Sequence, residues 1–485
     1  MQSLKEWRGR RLAGKAAVAL GRAFCYGQRV YQPSRPRPYS TDRPAKTTSC
    51  DVCIIGGGAS GTFAAVRLLD SKKTVALVEQ GSRLGGHTIT YRDPMTSQTA
   101  EAGVVVIRES QISRRFFDRF GITLTKFKPP PPAAEVSVDF TTGKQIRTIA
   151  AGFPAQSLAA YGQQVARYPY LDEGFNLPLP LEDDLAMPFG HFVKKYDLSP
   201  MVPLAWKLCQ GFGDLLTQPT LYIMKNFGKT ALEGFQNGFL VPDGLPNDKI
   251  YEVALSELDS SADVDVKLRT SVVSATRSDS DGVIVHVRSE AGHESVIKAE
   301  KLLITIPPTI ENLAAFDLDV REKSLFKLFH RNAWWTLILR NTGIRDGYCL
   351  ANVRPGNRES LPTLPGIYEI TPTGIHDTVN LKYGNPHSLS EDEVRADVLA
   401  SLARLRRVSP DLFSSSKDTV PEVALFASHD PFGLTAPLSS INDGFYKKLY
   451  ALNGHRNTFY TGAAFQAHDC SLLWEYTDRV LKRFF

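Results

Sequence analysis

DVCIIGGGASGTFAAVRLL, residues 51–69, is the stretch that decides the fold. It joins an apolar strand, residues 51–55, to a glycine turn and then to a helical run of apolar residues that ends near residue 69. A second apolar strand, residues 74–78, follows and ends at Glu79. A strand, a glycine turn of the form G-x-G-x-x-G, a helix and a second strand in this order predict a βαβ unit that binds a dinucleotide.

The residues of the turn have separate physical tasks. Gly56 permits the tight turn, Gly58 lets the backbone approach a pyrophosphate, and Gly61 lets the helix pack closely on the sheet. Ser60 lies beside them in the first helical turn, where free N–H groups and the positive end of the helix dipole face the phosphates. Glu79, eighteen residues beyond Gly61, is placed to accept hydrogen bonds from a ribose diol.

A second glycine motif, residues 80–88, continues directly from the second strand. Its Arg83 provides a positive charge for the pyrophosphate, and Gly85 and Gly86 provide a bare backbone that can lie against a flavin ring. A nicotinamide dehydrogenase would usually continue its sheet at this point. With this motif the sequence resembles the FAD-dependent amine-oxidase superfamily, whose members carry it after the ribose-binding acid.

Two later segments extend this resemblance. Residues 264–308 are similar to the superfamily's returning pattern of strands, in which a valine at the position of Val272 lies by the adenine. Residues 457–464 are similar to the closing strand and turn over the flavin, with Gly462 as the glycine of that motif. Many members place Glu or Asp directly after this glycine, whereas this chain has Ala463. FAD contacts at this end are therefore predicted from backbone N–H groups.

A narrower resemblance is to the fungal beta-cyclopiazonate dehydrogenase family. Five segments carry it: residues 188–196, 210–216, 429–433, 444–446 and 474–477. The resemblance implies an α/β fold with a Rossmann-like FAD-binding domain of the amine-oxidase or glutathione-reductase-2 type and a discontinuous α+β substrate domain. It also implies FAD as cofactor and a hydrophobic small molecule as substrate, of the class of indole and tetramic-acid secondary metabolites.

The predicted domains are discontinuous along the chain. Residues 1–46 form a basic leader. Residues 47–110, 235–310 and 444–485 form the FAD-binding domain, and residues 111–234 and 311–443 form the substrate domain. Segments rich in Phe, Tyr, Trp and Pro in the substrate pieces suit the walls of an apolar cavity.

The net charge of +6 lies in the leader. Residues 1–46 hold eleven Lys and Arg against Glu6 and Asp42, whereas the rest of the chain holds 46 basic and 49 acidic residues. The body therefore offers no basic surplus for nucleic acid, and no nucleic-acid partner is predicted. The leader is either a mitochondrial transit peptide or a disordered basic tail, and in the second case a cytoplasmic location is expected.

Several other classes of protein are not supported. No stretch of about 18 apolar residues exists, so no transmembrane segment is predicted. The CxxC at Cys50 and Cys53 has no second Cys or His pair at metal spacing, so no metal site is predicted. The sequence also lacks G-x-S-x-G, H-E-x-x-H and P-loop motifs.

Three residues are candidates for a direct role in flavin attachment, catalysis or substrate binding. His87, directly after the paired glycines, either attacks the flavin 8-methyl group to give a covalent histidyl linkage or hydrogen-bonds to the flavin noncovalently. His468 either acts as general acid or base or is a helix cap or surface group. Trp474 either forms an aromatic wall of the substrate cavity or packs in the core.

The favoured function is an FAD-dependent oxidase or dehydrogenase that acts on a hydrophobic small molecule. The sequence has one G-x-G-x-x-G and no second dinucleotide-binding pattern for NAD(P)H, so molecular oxygen is the expected electron acceptor. Two alternatives remain. One is a flavin-dependent isomerase or cyclase without net oxidation, and the other is a flavin-free binding protein of the GDP-dissociation-inhibitor type, which shares the two-domain fold.

Overall fold

The computed structural model describes residues 46–128, 132–147, 154–414 and 420–485. The predicted leader, apart from Lys46, lies outside these residues. Among the residues described, no helix is both long enough and apolar enough to cross a membrane.

Nineteen strands occur within the described ranges. They are β1 (Lys46–Ile55), β2 (Val75–Val78), β3 (Thr90–Arg92), β4 (Thr99–Glu101), β5 (Leu124–Lys126), β6 (Ala134–Asp139), β7 (Lys144–Ile146), β8 (Leu240–Pro242), β9 (Val264–Lys267), β10 (Thr270–Ser278), β11 (Gly282–Ser289), β12 (Glu294–Ile304), β13 (His330–Arg340), β14 (Tyr348–Asn352), β15 (Gly366–Pro372), β16 (Thr378–Asn385), β17 (Glu422–Ser428), β18 (Phe432–Thr435) and β19 (Thr458–Tyr460).

Fourteen α-helices occur in the same ranges. They are α1 (Ala59–Asp70), α2 (Gln111–Arg119), α3 (Ala155–Val165), α4 (Asp183–Ala186), α5 (Phe189–Lys195), α6 (Val202–Leu208), α7 (Thr220–Asn226), α8 (Lys229–Asn237), α9 (Lys249–Ser260), α10 (Val320–Phe326), α11 (Glu391–Val408), α12 (Leu438–Asn442), α13 (Phe445–Tyr450) and α14 (Cys470–Phe484).

The first sheet contains the predicted βαβ unit. Its strand order is β10-β11-β12-β1-β2-β9, and β19 pairs with the end of β12. β19, β12, β1, β2 and β9 are mutually parallel, whereas β10 and β11 join as an antiparallel extension. Parallel strands place their carboxyl ends at one edge, which is where such sheets bind ligands.

The core of this sheet explains why residues 51–69 fold as they do. Val52–Ile55 is a continuous apolar run, buried in full, as expected for a strand covered on both faces. Helix α1 buries Phe63, Ala64, Ala65, Val66 and Leu68 against the sheet and against α14. Each fully buried large apolar side chain contributes about 1.5–3 kcal/mol. The arrangement confirms the predicted α/β class with a Rossmann-like domain.

The second sheet has the order β17-β13-β16-β15-β14-β6-β7, with β18 paired to β13. Successive side chains of β13 point to opposite faces. Trp335, Leu337 and Leu339 pack in one core with α11, whereas Ile338 packs with Ala102 and neighbouring residues of the first half of the chain. This second face of the sheet therefore covers the segment that follows β4.

The strands of the first sheet lie within residues 46–78, 264–304 and 458–460, and those of the second lie within residues 134–146, 330–385 and 422–435. Helix α2 lies just after the predicted boundary at residue 110, yet Phe116 and Phe117 pack in the core of the first sheet. An amphipathic helix at a domain boundary can bury its apolar face on either side, and the sequence pattern does not distinguish the two.

Candidate active site

The glycine turn lies at the carboxyl end of β1. Gly56 has φ +104°, and a Cβ on Gly61 would lie 1.8 Å from the Gly56 carbonyl oxygen, so only glycine fits there. Helix α1 begins directly after Gly58, which provides no side-chain cap, and its first turn has no acidic residue. The buried Ser60 Oγ has no hydrogen-bond partner among the described residues. A helix end with free N–H groups and an unpaired hydroxyl is suited to an anion such as a pyrophosphate.

Glu79 is held beside this turn at the end of β2. Its two carboxylate oxygens accept hydrogen bonds from the N–H groups of Gly57 and Gly81, each at 2.6 Å. The carbonyl oxygen of Glu79 accepts from Thr270 N–H at 3.0 Å, which brings the start of β10 to the same place. Val272, half-buried two residues further along β10, therefore lies near the end of the site where the ribose would bind.

The second glycine motif lies directly on the first. The N–H of Gly85 donates to the Gly57 carbonyl at 2.8 Å, and a Cβ on Gly86 would lie 3.0 Å from the Gly58 Cα. The Arg83 guanidinium donates to the carbonyls of Leu84, Thr88 and Gly86 at 2.8–2.9 Å.

The geometry shows a structural task for Arg83 in addition to the predicted one. Its N–H groups hold together the loop that carries the glycine pair. Burial lowers the pKa of Arg83 from its ordinary value. A contact of its charge with the pyrophosphate stays a prediction.

Gly462 closes the site from the C-terminal side. It follows β19 with φ +114°, and a Cβ there would lie 3.0 Å from the Thr305 carbonyl oxygen. The Thr305 hydroxyl in turn is 3.0 Å from both the Ile55 and the Gly56 carbonyl oxygens. Thr305 thus ties the end of β12 to the glycine turn, a role that the sequence did not predict.

Three histidines, His87, His429 and His468, form what we call the histidine cluster. The ring of His87 lies 4.5 Å from that of His429, nearly perpendicular, and 6.3 Å from that of His468, nearly parallel. Phe432 stacks on His468 at 3.8 Å, and Trp334 stacks on His429 at 4.7 Å. The cluster therefore has apolar aromatic walls, to which Phe212 also contributes.

Burial keeps the imidazoles of His429 and His468 neutral at physiological pH. It lowers the pKa of His468 to about 3 and that of His429 well below 6.5, whereas the His87 side chain beside them is exposed. The positive charge of Arg83 acts in the same direction on His87 and His429. A neutral imidazole keeps a lone pair, which a nucleophile needs.

His468 has one nitrogen occupied by the backbone. Its Nε2 accepts a hydrogen bond from Gly433 N–H at 3.2 Å. In the neutral ring the proton is therefore on Nδ1, which makes this side chain a hydrogen-bond donor toward any group beside it. It is not the helix cap of α14, because Asp469 has that position.

Trp474 is not part of a cavity wall, and the cavity prediction for it is corrected here. The side chain is 1% exposed and packs among Phe63, Phe116 and Phe117 in the core of the first sheet. Its Nε1–H donates to the Ala59 carbonyl at 3.2 Å. Trp474 therefore supports the first turn of α1 from behind.

The segment 101–104 lies against His87 and was not singled out from the sequence. A Cβ on Gly103 would lie 1.9 Å from the His87 carbonyl oxygen, which also accepts from Val104 N–H at 3.3 Å. Glu101 accepts hydrogen bonds from Asn247 N–H and the Thr90 hydroxyl, and burial raises its pKa to about 7. A glycine two residues after the end of a short strand was the available signal.

A buried lysine positions the loop after Gly462. Lys225 Nζ donates to the carbonyls of Leu171 and Gly174 and to the side-chain oxygen of Gln466. Burial lowers its pKa to about 7. The lysine sits within an apolar helical run, so its sequence context gave no indication of this role.

Comparison with known proteins agrees with the geometry. The family model described as an NAD(P)-binding Rossmann-like domain matches residues 54–120. The FAD-dependent oxidoreductase oblC of Cochliobolus heterostrophus is 36% identical over 443 residues, which cover 88% of this chain and 89% of that protein. Beta-cyclopiazonate dehydrogenase of Aspergillus oryzae is 33% identical over 438 residues, which cover 90% and 93%.

The chain belongs to this family of FAD-dependent oxidoreductases. The predicted resemblance is thereby confirmed, and FAD is the dinucleotide that the glycine turn, Glu79 and Ser60 are suited to hold. As a member of this family the protein is an enzyme, so the flavin-free alternative has no support. Within the described ranges, no group of His, Cys, Asp or Glu is arranged to hold a metal ion.

Solved structures show the same fold at low sequence identity. The crystal structure of the CLA-producing fatty acid isomerase from P. acnes has a TM-score of 0.69 at 17% identity, over 90% of this oxidoreductase and 99% of that chain. Wild-type putrescine oxidase bound to putrescine has a TM-score of 0.62 at 16% identity, over 90% and 99%. These likenesses establish the amine-oxidase architecture.

Proposed function

We propose that this enzyme oxidises a C–H, C–N or C–C bond of a hydrophobic secondary metabolite and passes the electrons to dioxygen. The observation that carries the proposal is the histidine cluster with its walls of Trp334, Phe432 and Phe212, which meets the cofactor motif at His87. FAD supplies the acceptor for two electrons and a hydrogen from the substrate. The chain's own residues bind the substrate, orient it and exclude water.

The aromatic walls of the cluster support an apolar substrate. Aromatic faces contribute large contact areas and stack on flat conjugated rings. The neutral state of His429 and His468 leaves no full charge on either ring to attract an ionic substrate. The relative named beta-cyclopiazonate dehydrogenase is consistent with a substrate that is itself a fungal metabolite.

We also propose that His87 carries the flavin covalently. It directly follows the paired glycines, and its lowered pKa provides the unprotonated imidazole that an attack on the flavin methyl group requires. His468, through Nδ1–H, would donate a hydrogen bond to substrate or flavin. Trp474 has no part in this proposal.

The oxidase part is tested with purified protein and a panel of prenylated indoles, tetramates and amines. At least one compound should cause oxygen consumption and release of hydrogen peroxide in equal amounts. Conversion of a compound without oxygen consumption would favour the isomerase or cyclase alternative instead.

The covalent part is tested by peptide mapping after denaturation in acid. A flavin-modified peptide that contains His87 is expected, and His87→Ala should bind FAD that acid releases. Complete acid release of flavin from the wild-type protein would exclude the linkage.

A further inference from the structure

His429 is a buried base with one nitrogen left unpaired. It follows β17 and is 1% exposed, and its backbone N–H donates to the Trp334 carbonyl at 2.9 Å. Its Nε2 lies 3.3 Å from the Thr336 hydroxyl oxygen. Its Nδ1 is buried and has no hydrogen-bond partner among the described residues.

The Thr336 hydroxyl fixes which nitrogen of His429 carries the proton. That hydroxyl donates its hydrogen to the Ala102 carbonyl, so only its lone pairs remain for His429. Nε2 must therefore be the protonated nitrogen, and the lone pair of the neutral ring is on Nδ1. An unpaired buried acceptor of this kind costs about 1–3 kcal/mol, which is a reason to look for its use.

The neighbours of His429 leave one candidate partner for that lone pair. Trp334 and Phe432 provide ring faces, and His87 approaches with its ring perpendicular and the centroids 4.5 Å apart. The titratable and charged groups that act on His429 are His87, His468 and Arg83. Of these, the ring of His468 stacks on Phe432 at 3.8 Å, and Arg83 is bonded to the carbonyls of its own loop, whereas the ring of His87 contacts that of His429.

We infer that His429 is a positioning residue that accepts the ring proton of His87 when His87 becomes bonded to the flavin. The inference rests on the covalent linkage proposed above. In that step a ring nitrogen of His87 bonds to the 8-methyl carbon of FAD, and this carbon loses one hydrogen as a proton. The proton on the other ring nitrogen of His87 passes to His429 Nδ1. The electron pair enters the flavin ring system, and dioxygen removes it with two protons as hydrogen peroxide.

The test compares His429→Ala with wild type by flavin fluorescence of the denatured protein in a gel. The wild type should be fluorescent. The purified variant should keep its visible flavin absorption but form the linkage about 100-fold or more slowly, the usual contribution of a proton-accepting side chain. Added imidazole should restore linkage in the variant, because a small base can occupy the space left by the side chain.

Two further variants separate proton transfer from disturbance of the cluster. Thr336→Val keeps His429 but removes the group that fixes its tautomer, so linkage should slow by a smaller factor. His455→Gln, a control at a half-buried histidine outside the cluster that pairs with Asp319, should form the linkage at the wild-type rate. Equal loss of linkage in His455→Gln, or loss of all bound flavin in both His429→Ala and Thr336→Val, would overturn the inference in favour of a purely structural role.

The outcomes also separate this inference from the proposed function. A wild-type protein whose flavin is fully released by acid would end the covalent proposal itself. A covalent wild type together with an equally fast His429→Ala would leave that proposal standing and overturn the role of His429 alone.

Discussion

The backbones of Gly58 and Gly86 are in direct contact: a Cβ added to Gly86 would lie 3.0 Å from the Cα of Gly58. This contact joins the glycine turn, where we propose that the pyrophosphate binds, to the loop that leads into His87. The turn and this loop are therefore fixed relative to each other by main-chain atoms. Gly58 and Gly86 lie far apart in the sequence, and this contact requires that both are glycine.

Two glycine substitutions should separate cofactor binding from folding. A Cβ on Gly58 would meet only the Gly86 Cα, at 3.9 Å, whereas one on Gly61 would meet the Gly56 carbonyl oxygen at 1.8 Å. Gly58→Ala should fold normally but bind FAD about 10-fold or more weakly, about 1.4 kcal/mol, because the methyl group occupies the approach of the pyrophosphate. Gly61→Ala should lose stability. Circular dichroism measures the loss of folding, and flavin titration measures the loss of FAD affinity. Normal FAD affinity in Gly58→Ala would contradict the close approach of the pyrophosphate to this backbone.

The histidine cluster predicts a pH dependence of stability. In the unfolded chain these imidazoles titrate near 6.5, whereas burial lowers the pKa to about 3 for His468 and well below 6.5 for His429. Below about pH 6.5 the unfolded state binds more protons than the folded state, so stability is complete above this pH and is lost as the pH falls toward 3.

His429 is the most buried histidine of the cluster and should contribute most to this pH dependence of stability. His429 should contribute about 1.4 kcal/mol per pH unit within the window, and His429→Gln should reduce the slope accordingly. Urea unfolding of both proteins between about pH 5 and pH 7 measures it. Parallel loss of stability in the two proteins would show that His429 is not buried in its neutral form.

The sequence predicted those parts of the site whose function depends on local backbone geometry. The turn at Gly56–Gly61, the ribose acid Glu79 and the glycine pair 85–86 each have one conformation to adopt, and the residue types reveal it. The histidine cluster was not predicted, because strands of two different sheets bring His429 and His468 to His87. For Trp474 the sequence left two alternatives open, because the same residue type suits a buried helix face and a cavity wall equally well.

A conservative change at Trp474 should affect stability more than turnover. The indole packs among three phenylalanines and donates to the Ala59 carbonyl. Trp474→Phe should lower the free energy of unfolding by about 1–3 kcal/mol, because it leaves a cavity and an unpaired carbonyl. The KM for substrate should not change. A large rise in KM with unchanged stability would return Trp474 to the substrate wall.

A buried ion pair next to the first sheet offers a second test of the fold. Arg277 on β10 is 0% exposed and donates to Glu322, which is 1% exposed and also accepts from the Tyr460 hydroxyl at 2.8 Å. Arg277→Met should cost about 3 kcal/mol, because the buried Glu322 then keeps only the more distant Arg456, whose Nη1 is 3.9 Å from its carboxylate.

The matched control for this pair is on the neighbouring strand. Arg288 on β11 pairs with Glu294, and both side chains are about half exposed. Arg288→Met should cost about 1 kcal/mol or less. Urea unfolding measures both variants, and equal costs would contradict the buried position of Arg277.

We propose that an apolar substrate is oxidised where the cofactor motif meets the histidine cluster at His87. Anaerobic mixing of the purified flavoprotein with prenylated indoles, tetramates and amines tests it most directly. We predict that at least one compound bleaches the visible flavin band and that dioxygen restores the band with release of hydrogen peroxide. Conversion of a compound while the band stays unchanged throughout would contradict the claim.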